Sequence, residues 1–306
     1  MTDVTRNYGW VKNKDDPRDI VYSLPPRPRL LPATATATPT PSALLPPKFD
    51  LRDHYRFPEV YDQGTLGSCT ANAIACVYQL DEIRQGNRSS FMPSRLFIYY
   101  NERDMEGTVE RDCGAQIRDG IKSINRVGVC EERLWDYVAD RFATRPTAEC
   151  YREAELCRSV EYRTVVQDLA HLKTALVDGY PVVFGFTVYE RFEGEEIAED
   201  GVCHLPREGE RQAGGHAVVL VGYDDTAEVD GERGAFIVRN SWGSRWGKQG
   251  HFVMPYRYVC DPALASDFWV VTMVSDPDLT PGDGDDDTDL RILAPRGVCP
   301  GICTIL

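Results

Sequence analysis

The sequence lacks any run of about 18 consecutive apolar residues, which is the length a helix needs to cross a lipid bilayer. Its N-terminus, MTDVTRNYGW, lacks the basic start and the apolar stretch of a secretory signal. Basic residues are also few, 34 against 48 acidic ones, and the net charge of −14 disfavours binding to nucleic acid or to an anionic membrane. We therefore expect a soluble protein without a Sec-type signal, a transmembrane segment or a nucleic-acid partner.

Metal-binding patterns are absent from the sequence as well. The 10 cysteines contain no C-x-x-C pair, so a zinc site built from Cys113, Cys130, Cys150 and Cys157 is a disfavoured alternative. The acidic run PGDGDDDTDL does not match a calcium-binding loop, because it lacks the glycine that follows the first three ligand positions and the glutamate that ends the loop. We expect neither a metal ion nor an organic cofactor.

The composition divides the chain into three segments. Residues 1–47 show no helical pattern and are interpreted as an extended arm, which ends in a proline, alanine and threonine spacer at residues 32–47. The spacer extends over roughly 50 Å, so the arm can reach any face of the domain that follows. Residues 48–275 have the composition of a globular domain, and residues 276–306 form an acidic tail that should be flexible. The arm carries the aromatic anchors Tyr8, Trp10 and Tyr22.

Helical patterns dominate the first half of the domain and strand patterns dominate the second. TANAIACVYQLDEIRQG carries apolar residues on one broad helical face and ends at Gly86. Further candidate helices are SRLFIYYNER, AQIRDGIKSINRVG and DLAHLKTALVDG, the last with Asp168 as N-cap and Gly179 as C-cap. Candidate strands are VVFGFTVY, HAVVLVGY, AFIVRNS, HFVMPY and FWVVTMV. This order predicts an α+β fold with a helical lobe of about residues 48–160 and a β-rich lobe of about residues 161–275.

The stretch DQGTLGSCTANA places Cys69 where a turn-rich loop gives way to a helix, with Gln63 earlier in the same loop. Alone, a cysteine at this place is compatible with a core side chain, half of a disulfide, a metal ligand or a nucleophile. A helix N-terminus lowers the pKa of a thiol because the helix dipole favours the thiolate. The position of Cys69 therefore suits a nucleophile.

Two later segments supply partners for a reactive thiol. GGHAVVLVGY places His216 at the start of an apolar strand, and FIVRNSWGSRWG places Asn240 at a strand end, shortly before Trp242. Thiol-based acyl transfer needs a thiolate, an imidazole that protonates the leaving amine, and a group that orients the imidazole. The amide of Gln63 would donate to the oxyanion together with the backbone N–H of Cys69.

These segments together resemble the papain family (C1) of cysteine peptidases, and the resemblance extends over residues 46–274. It implies that Cys69 is the nucleophile, His216 the base, Asn240 the group that orients the base, and Gln63 an oxyanion donor. The string NSWGSRWG, which follows Arg239, is close to the family's own motif.

The resemblance also implies a papain-like, two-lobed α+β fold. The helical lobe would carry the nucleophile, and a barrel-like, β-rich lobe would carry the histidine and the asparagine. Gly114 and Ala115 stand where the family has a glycine pair that lines the backbone of the substrate. With them, Gly215 and Trp242 are the candidate substrate-binding residues.

The sequence departs from the family in three places. Leu66 replaces a cysteine and so removes half of a frequent disulfide, which leaves Cys113 without that partner. Thr70 replaces a packing tryptophan. The arm, YGWVKNKDDPRDIVYS, lacks the long helical pro-region of many relatives and resembles the leader of bacterial-type members such as xylellain, in which an arm lies over the cleft.

The resemblance implies a cysteine-type endopeptidase, made as a zymogen, that hydrolyses peptide bonds through a thioester acyl-enzyme. The expected partners are a peptide or protein substrate and the chain's own arm as a ligand of the cleft, and the chain is expected to be a monomer. Two alternatives stay open: a transpeptidase or ligase that uses the same acyl-enzyme, and an inactive peptide-binding homologue.

The last four residues, CTIL, fit a prenylation signal at Cys303, with Cys299 as a second lipid site. The acidic region before them gives this signal no electrostatic help, and a small disulfide loop between Cys299 and Cys303 is the alternative. Unless Cys303 is lipidated, no membrane association is expected. The sequence leaves the compartment open.

Overall fold

The computed structural model describes residues 7–23, 45–86 and 90–275. The expectations for most of the spacer and for the acidic tail, including Cys299 and Cys303, lie outside these residues. Within the described part of the chain, no helix is both long enough and apolar enough to cross a membrane.

The described part of the domain contains seven α-helices and seven β-strands, and the first four helices lie mainly in its first half. The helices are α1 (Cys69–Gln85), α2 (Arg95–Glu106), α3 (Ile117–Arg126), α4 (Ala148–Ala154), α5 (Leu169–Val177), α6 (Glu195–Asp200) and α7 (Tyr256–Cys260). The strands are β1 (Lys48–Asp50), β2 (Ser159–Thr164), β3 (Val182–Tyr189), β4 (Gln212–Val229), β5 (Glu232–Arg239), β6 (His251–Pro255) and β7 (Ala265–Val274). All the predicted helices and strands are present.

The strands form one antiparallel sheet in the order β2-β7-β3-β4-β5-β6, and β1 pairs with β4. Side chains along β4 alternate between two cores, because successive residues of a strand point to opposite faces of the sheet. Ala217 and Val219 pack with the helices, whereas Val218 and Leu220 belong to the core on the other face. A strand that is buried on both faces reads as a continuous apolar run, and this explains the sequence HAVVLVGY.

Helix α1 lies between the other helices and the sheet. It begins at Cys69 and ends at Gln85, and Gly86 caps it in the left-handed region with φ of 77°. Every residue from Cys69 to Glu82 is buried, so the helix is enclosed on all sides and does not have the single buried face that the sequence pattern predicts. Because the helix is internal from its first residue to Glu82, Cys69 is held inside the protein.

The caps of α5 are close to those predicted. Asp168 is the N-cap, and its side chain accepts a hydrogen bond from the N–H of His171. The C-cap is Asp178, not Gly179, because helical backbone angles continue through Asp178. Gly179 follows in the left-handed region with φ of 92°, the usual role of a glycine directly after a helix.

The buried guanidinium of Arg103 in α2 holds the loop that leads to Gly114. It donates hydrogen bonds to the carbonyl oxygens of Val109 at 2.6 Å and Arg111 at 3.0 Å, and to that of Phe142. Removing the side chain leaves these partly buried carbonyls without this donor and empties the buried site of the guanidinium. We expect Arg103→Met to lower the free energy of unfolding by about 3 kcal/mol, as measured by urea denaturation.

The matched control for this prediction is Arg126→Met, because Arg126 is an exposed arginine at the end of α3. Its replacement should change the free energy of unfolding by less than about 0.5 kcal/mol. Equal effects of the two substitutions would show that the loop does not depend on Arg103.

Candidate active site

Cys69, the first residue of α1, is completely buried. Its Sγ accepts a hydrogen bond from the backbone N–H of Ala217 at 3.4 Å. Ala217 directly follows His216 in β4, so the start of the helix meets this strand at the sulfur. Two residues that lie far apart in the sequence are therefore brought together at one place. His216 does not start the strand as predicted, because the pairing with β3 already begins at Gln212.

The imidazole of His216 is oriented by the side chain of Asn240. His216 Nε2 lies 2.8 Å from Asn240 Oδ1, and both side chains are buried. Asn240 Oδ1 also accepts from the backbone N–H of Ser241 at 2.8 Å, which fixes the amide. The contact between Nε2 and Asn240 fixes the orientation of the imidazole ring.

Trp242 covers the imidazole and keeps water away from its contact with Asn240. Its ring lies 5.1 Å from the ring of His216, and the tryptophan is only 6% exposed. Phe192 and Trp246 pack edge-on against Trp242, at 5.5 Å and 5.1 Å between ring centroids. This aromatic cluster makes the pair of His216 and Asn240 part of the core.

Gln63 lies in the loop before Cys69, and its amide is held at both ends. Nε2 donates to the carbonyl oxygen of Leu66 at 2.9 Å, and Oε1 accepts from the hydroxyl of Ser241 at 2.7 Å. The same Nε2 also donates to the carbonyl oxygen of Asn7, in the arm, at 3.3 Å. The predicted oxyanion donor therefore already contacts a peptide carbonyl.

The arm lies between the two segments that the sequence predicts to bind substrate. On one side, the Ala115 N–H donates to Gly9 O at 2.8 Å and the Val11 N–H donates to Ala115 O at 3.0 Å. On the other side, the Trp10 N–H donates to Gly215 O at 2.9 Å. Gly114, Ala115 and Gly215 therefore all border the arm. At Gly114, where φ is 74°, an added Cβ would lie 1.9 Å from Gly9 O, so the approach requires glycine.

Tyr8 covers the imidazole from the side of the arm. Its ring lies 5.9 Å from that of His216 and 6.2 Å from that of Trp242. Its hydroxyl donates to Glu193 Oε1 at 3.1 Å. Tyr8 and Trp242 together enclose the ring of His216.

Burial raises the pKa of the Cys69 thiol to about 12. The N–H groups of Ala217 and Gly9 point at the sulfur and lower the pKa, but they do not offset the loss of solvation. With the arm in place, the thiol is therefore neutral near pH 7. Loss of solvation on burial disfavours the thiolate of Cys69.

Three side chains that support the site were missed by sequence reasoning. The carboxylate of Asp112 accepts from the Gly67 N–H at 3.0 Å and from the Tyr99 hydroxyl at 2.5 Å, and so fixes the loop before Cys69. Ser241 holds Gln63, as described above. Glu102 is buried and accepts from the hydroxyl of Thr70 at 2.7 Å. The sequence offers only one signal for such supporting residues, which is their position next to a residue already singled out. Ser241 follows Asn240, and Asp112 precedes Cys113.

The cysteines near the helical lobe do not form the alternative zinc site. Cys113 is exposed and unbridged, and Cys130, Cys150 and Cys157 are also free thiols. Among the residues that the structure describes, the one group of three or more candidate metal ligands is Glu196, Asp200 and His204. None of the four cysteines belongs to it.

Residues 45–266 match the family model of the papain family cysteine proteases. The chain therefore belongs to this family and is a cysteine-type peptidase with a papain-like α+β fold. The family, the fold class and the enzyme class predicted from the sequence are confirmed.

Three comparisons indicate how near its relatives are. The chain is 45% identical over 286 residues to the uncharacterized peptidase C1-like protein L477 of Acanthamoeba polyphaga mimivirus, a match that covers 90% of this chain and 89% of that protein. Its structure is similar to the crystal structure of xylellain, a cysteine protease from Xylella fastidiosa, with a TM-score of 0.75 and 40% sequence identity. This match covers 89% of this chain and 97% of that one. ProCathepsin B S9 from Trypanosoma congolense shares the fold at 17% identity, with a TM-score of 0.63 over 83% and 82% of the two chains.

Proposed function

We propose that this protein is an endopeptidase that forms a thioester at Cys69, and that residues 7–23 keep it inactive until they leave the cleft. The observation that carries this proposal is that the start of α1 meets β4 at the sulfur of Cys69, while the residue after β5 contacts the neighbouring histidine of β4. The Ala217 N–H reaches the thiol of Cys69, and the neighbouring imidazole of His216 is already bonded to Asn240.

The residues divide the reaction as follows. Once solvent reaches the site, Cys69 passes its proton to His216 Nδ1, and the thiolate attacks the carbonyl carbon of a peptide bond. The negative charge that forms on the carbonyl oxygen is stabilised by Gln63 Nε2 and by the N–H of Cys69. His216 then protonates the leaving amine as the C–N bond breaks. Water, activated by the same imidazole, hydrolyses the thioester and restores the thiol.

The arm is placed to block this reaction. The backbone N–H of Gly9 faces Cys69 Sγ, so the arm lies directly against the nucleophile. The carbonyl oxygen of Asn7 uses the amide of Gln63. A segment that occupies the oxyanion donor and covers the nucleophile excludes a substrate from both.

The rest of the arm is anchored to the domain beyond the cleft. Arg118 pairs with Asp19, and the Tyr22 N–H donates to Thr164 O at 2.7 Å in β2. Tyr22 itself is buried, and its hydroxyl donates to Asp178. Contacts at both ends hold the arm in place, which supports its role as an inhibitor.

The experiment compares the intact chain with an arm-released protein. This protein is the full chain with a specific protease site inserted between residues 32 and 44, folded, cut at that site and separated from the arm. We expect it to hydrolyse a mixed peptide library, whereas the intact chain does so slowly. Equal rates would remove the inhibitory role of the arm. Peptide binding without products would favour the inactive homologue, and products joined to an added amine would favour the transpeptidase.

Gln63 provides a test of the oxyanion donor. In the arm-released protein, Gln63→Ala should lower kcat by about 10²- to 10³-fold and change KM little, because the amide acts on charge that exists only in the transition state. The matched control is Gln212→Ala at the exposed start of β4. Steady-state kinetics of the two variants provide the measurement, and equal kcat values would contradict the role of Gln63.

A further inference from the structure

The indole of Trp10 fills a narrow pocket whose walls are two glycines. A Cβ on Gly185 in β3 would lie 1.9 Å from Trp10 Cε2, and a Cβ on Gly215 in β4 would lie 2.7 Å from Trp10 Cε3. Any larger side chain at either position would therefore occupy the space of the indole. Because Gly185 and Gly215 have no side chain, the two neighbouring strands leave a slot that fits a large flat group.

The far end of this slot is closed by a carboxylate. Asp267 Oδ2 accepts from the indole N–H of Trp10 at 3.0 Å and from the backbone N–H of Asn13 at 2.8 Å. Asp267 has φ of 62°, a left-handed conformation that is uncommon for residues other than glycine and that clusters at functional sites. Its carboxylate is partly buried, and this burial raises its pKa. Both donors belong to the arm and leave with it.

The slot lies where a substrate side chain would lie. Trp10 sits on the arm between the backbone contacts to Ala115 and Gly215, the two segments that are expected to line the substrate. A peptide bound between the same segments would direct one side chain toward Asp267.

We propose, on the basis of the proposed function, that Asp267 selects substrates with an arginine or a tryptophan in the slot now filled by Trp10. Both side chains are large and planar, and both have an N–H donor at the far end. Arginine matches Asp267 best, because its guanidinium is flat, always charged and able to donate two parallel hydrogen bonds to one carboxylate. A substrate side chain of similar size that has no N–H donor would leave the partly buried carboxylate of Asp267 without a hydrogen bond, which disfavours its binding.

The first test uses fluorogenic peptides with the arm-released protein. Arginine is compared with its neutral isostere citrulline at each position before the reporter group. At one position we expect kcat/KM to favour arginine over citrulline by about tenfold or more.

The variant Asp267→Asn tests whether the carboxylate causes this preference. It preserves the size of the side chain and the tolerance for the left-handed backbone, and it should reduce the ratio of arginine to citrulline to about one. The matched control, Glu193→Gln, removes a charge at the Tyr8 end of the site and should preserve the ratio. A ratio that survives Asp267→Asn, or that is near one in the parent, overturns the inference.

The second test does not require catalysis. Synthetic peptides of residues 7–23, with tryptophan or naphthylalanine at position 10, are titrated into the arm-released protein by calorimetry. Naphthylalanine has a similar shape but no N–H, so we expect its peptide to bind about tenfold more weakly to the parent. This difference should be lost with Asp267→Gly, which removes the acceptor and permits the left-handed backbone. Equal affinities for the parent overturn the inference. If no peptide is hydrolysed but this difference holds, the proposed function fails and the specificity of the slot stands.

Discussion

Replacing Cys69 by alanine is expected to lower kcat/KM of the arm-released protein by about 10⁴-fold or more. The effect is large because, in the proposed mechanism, the sulfur forms the covalent bond to the substrate. Cys69 begins α1 at the point where the Ala217 N–H meets the sulfur. Alanine keeps the helix and removes only the nucleophile, so the folded state should survive. Hydrolysis of the peptide library gives the measurement.

The matched control for this prediction is Cys113→Ser. Cys113 is an exposed free thiol in the loop next to Gly114, so it is the cysteine most accessible to reagents near the cleft. Its replacement should leave kcat/KM within about twofold of the parent. Residual hydrolysis by Cys69→Ala at more than a few per cent of the parent rate would mean that another group performs the chemistry.

Replacing Trp10 by alanine in the intact chain is expected to increase the rate of Cys69 labelling by an epoxide inhibitor of the E-64 type about 30-fold. The indole fills the slot between Gly185 and Gly215 and donates to Asp267. Losing a side chain of this kind at the centre of an interface typically costs about 2 kcal/mol or more, which corresponds to this factor. The arm should therefore leave the cleft more often, and each departure exposes the thiol.

A second substitution in the arm separates this effect from a general loosening of the segment. Ile20 is 62% exposed, and Ile20→Ala removes a side chain of the arm without emptying a pocket. Its labelling rate should stay within about twofold of the parent. If Trp10→Ala is labelled no faster than Ile20→Ala, the slot does not hold the arm in place.

The sequence predicted the parts of the molecule whose signals are local. The candidate residues Cys69, His216 and Asn240 lie in short strings whose glycines and apolar residues show a helix start, an apolar strand and a strand end. The α+β class follows from the order of these patterns along the chain. Each of these conclusions depends on a few neighbouring residues, and sequence periodicity reports on such neighbours.

Features produced by distant contacts could not be predicted in this way. The burial of α1 on all sides arises because helices cover one face and the sheet the other, whereas its own sequence suggests one apolar face. Asp267 lies within an apolar strand, and only its contact with Trp10 marks it as part of the cleft. Asp112 acts on the loop before Cys69 from another segment of the chain. Pairing of this kind has no local signature.

The short strands show the same limit. β1, residues Lys48–Asp50, pairs with β4 more than 170 residues later, and three residues carry too little alternation to indicate a strand. β2 is likewise paired with β7 near the end of the domain. In both strands, the partner rather than the local sequence determines the extended structure.

The most direct test of the central claim is to map the site of covalent labelling by the epoxide inhibitor in intact and arm-released protein. We predict one equivalent of inhibitor on Cys69 in the arm-released protein, and slow labelling of the same residue in the intact chain, where burial holds the pKa of the thiol at about 12. Labelling of a different cysteine, or no uptake of inhibitor by the arm-released protein, would contradict the claim that Cys69 is a reactive thiol covered by the arm.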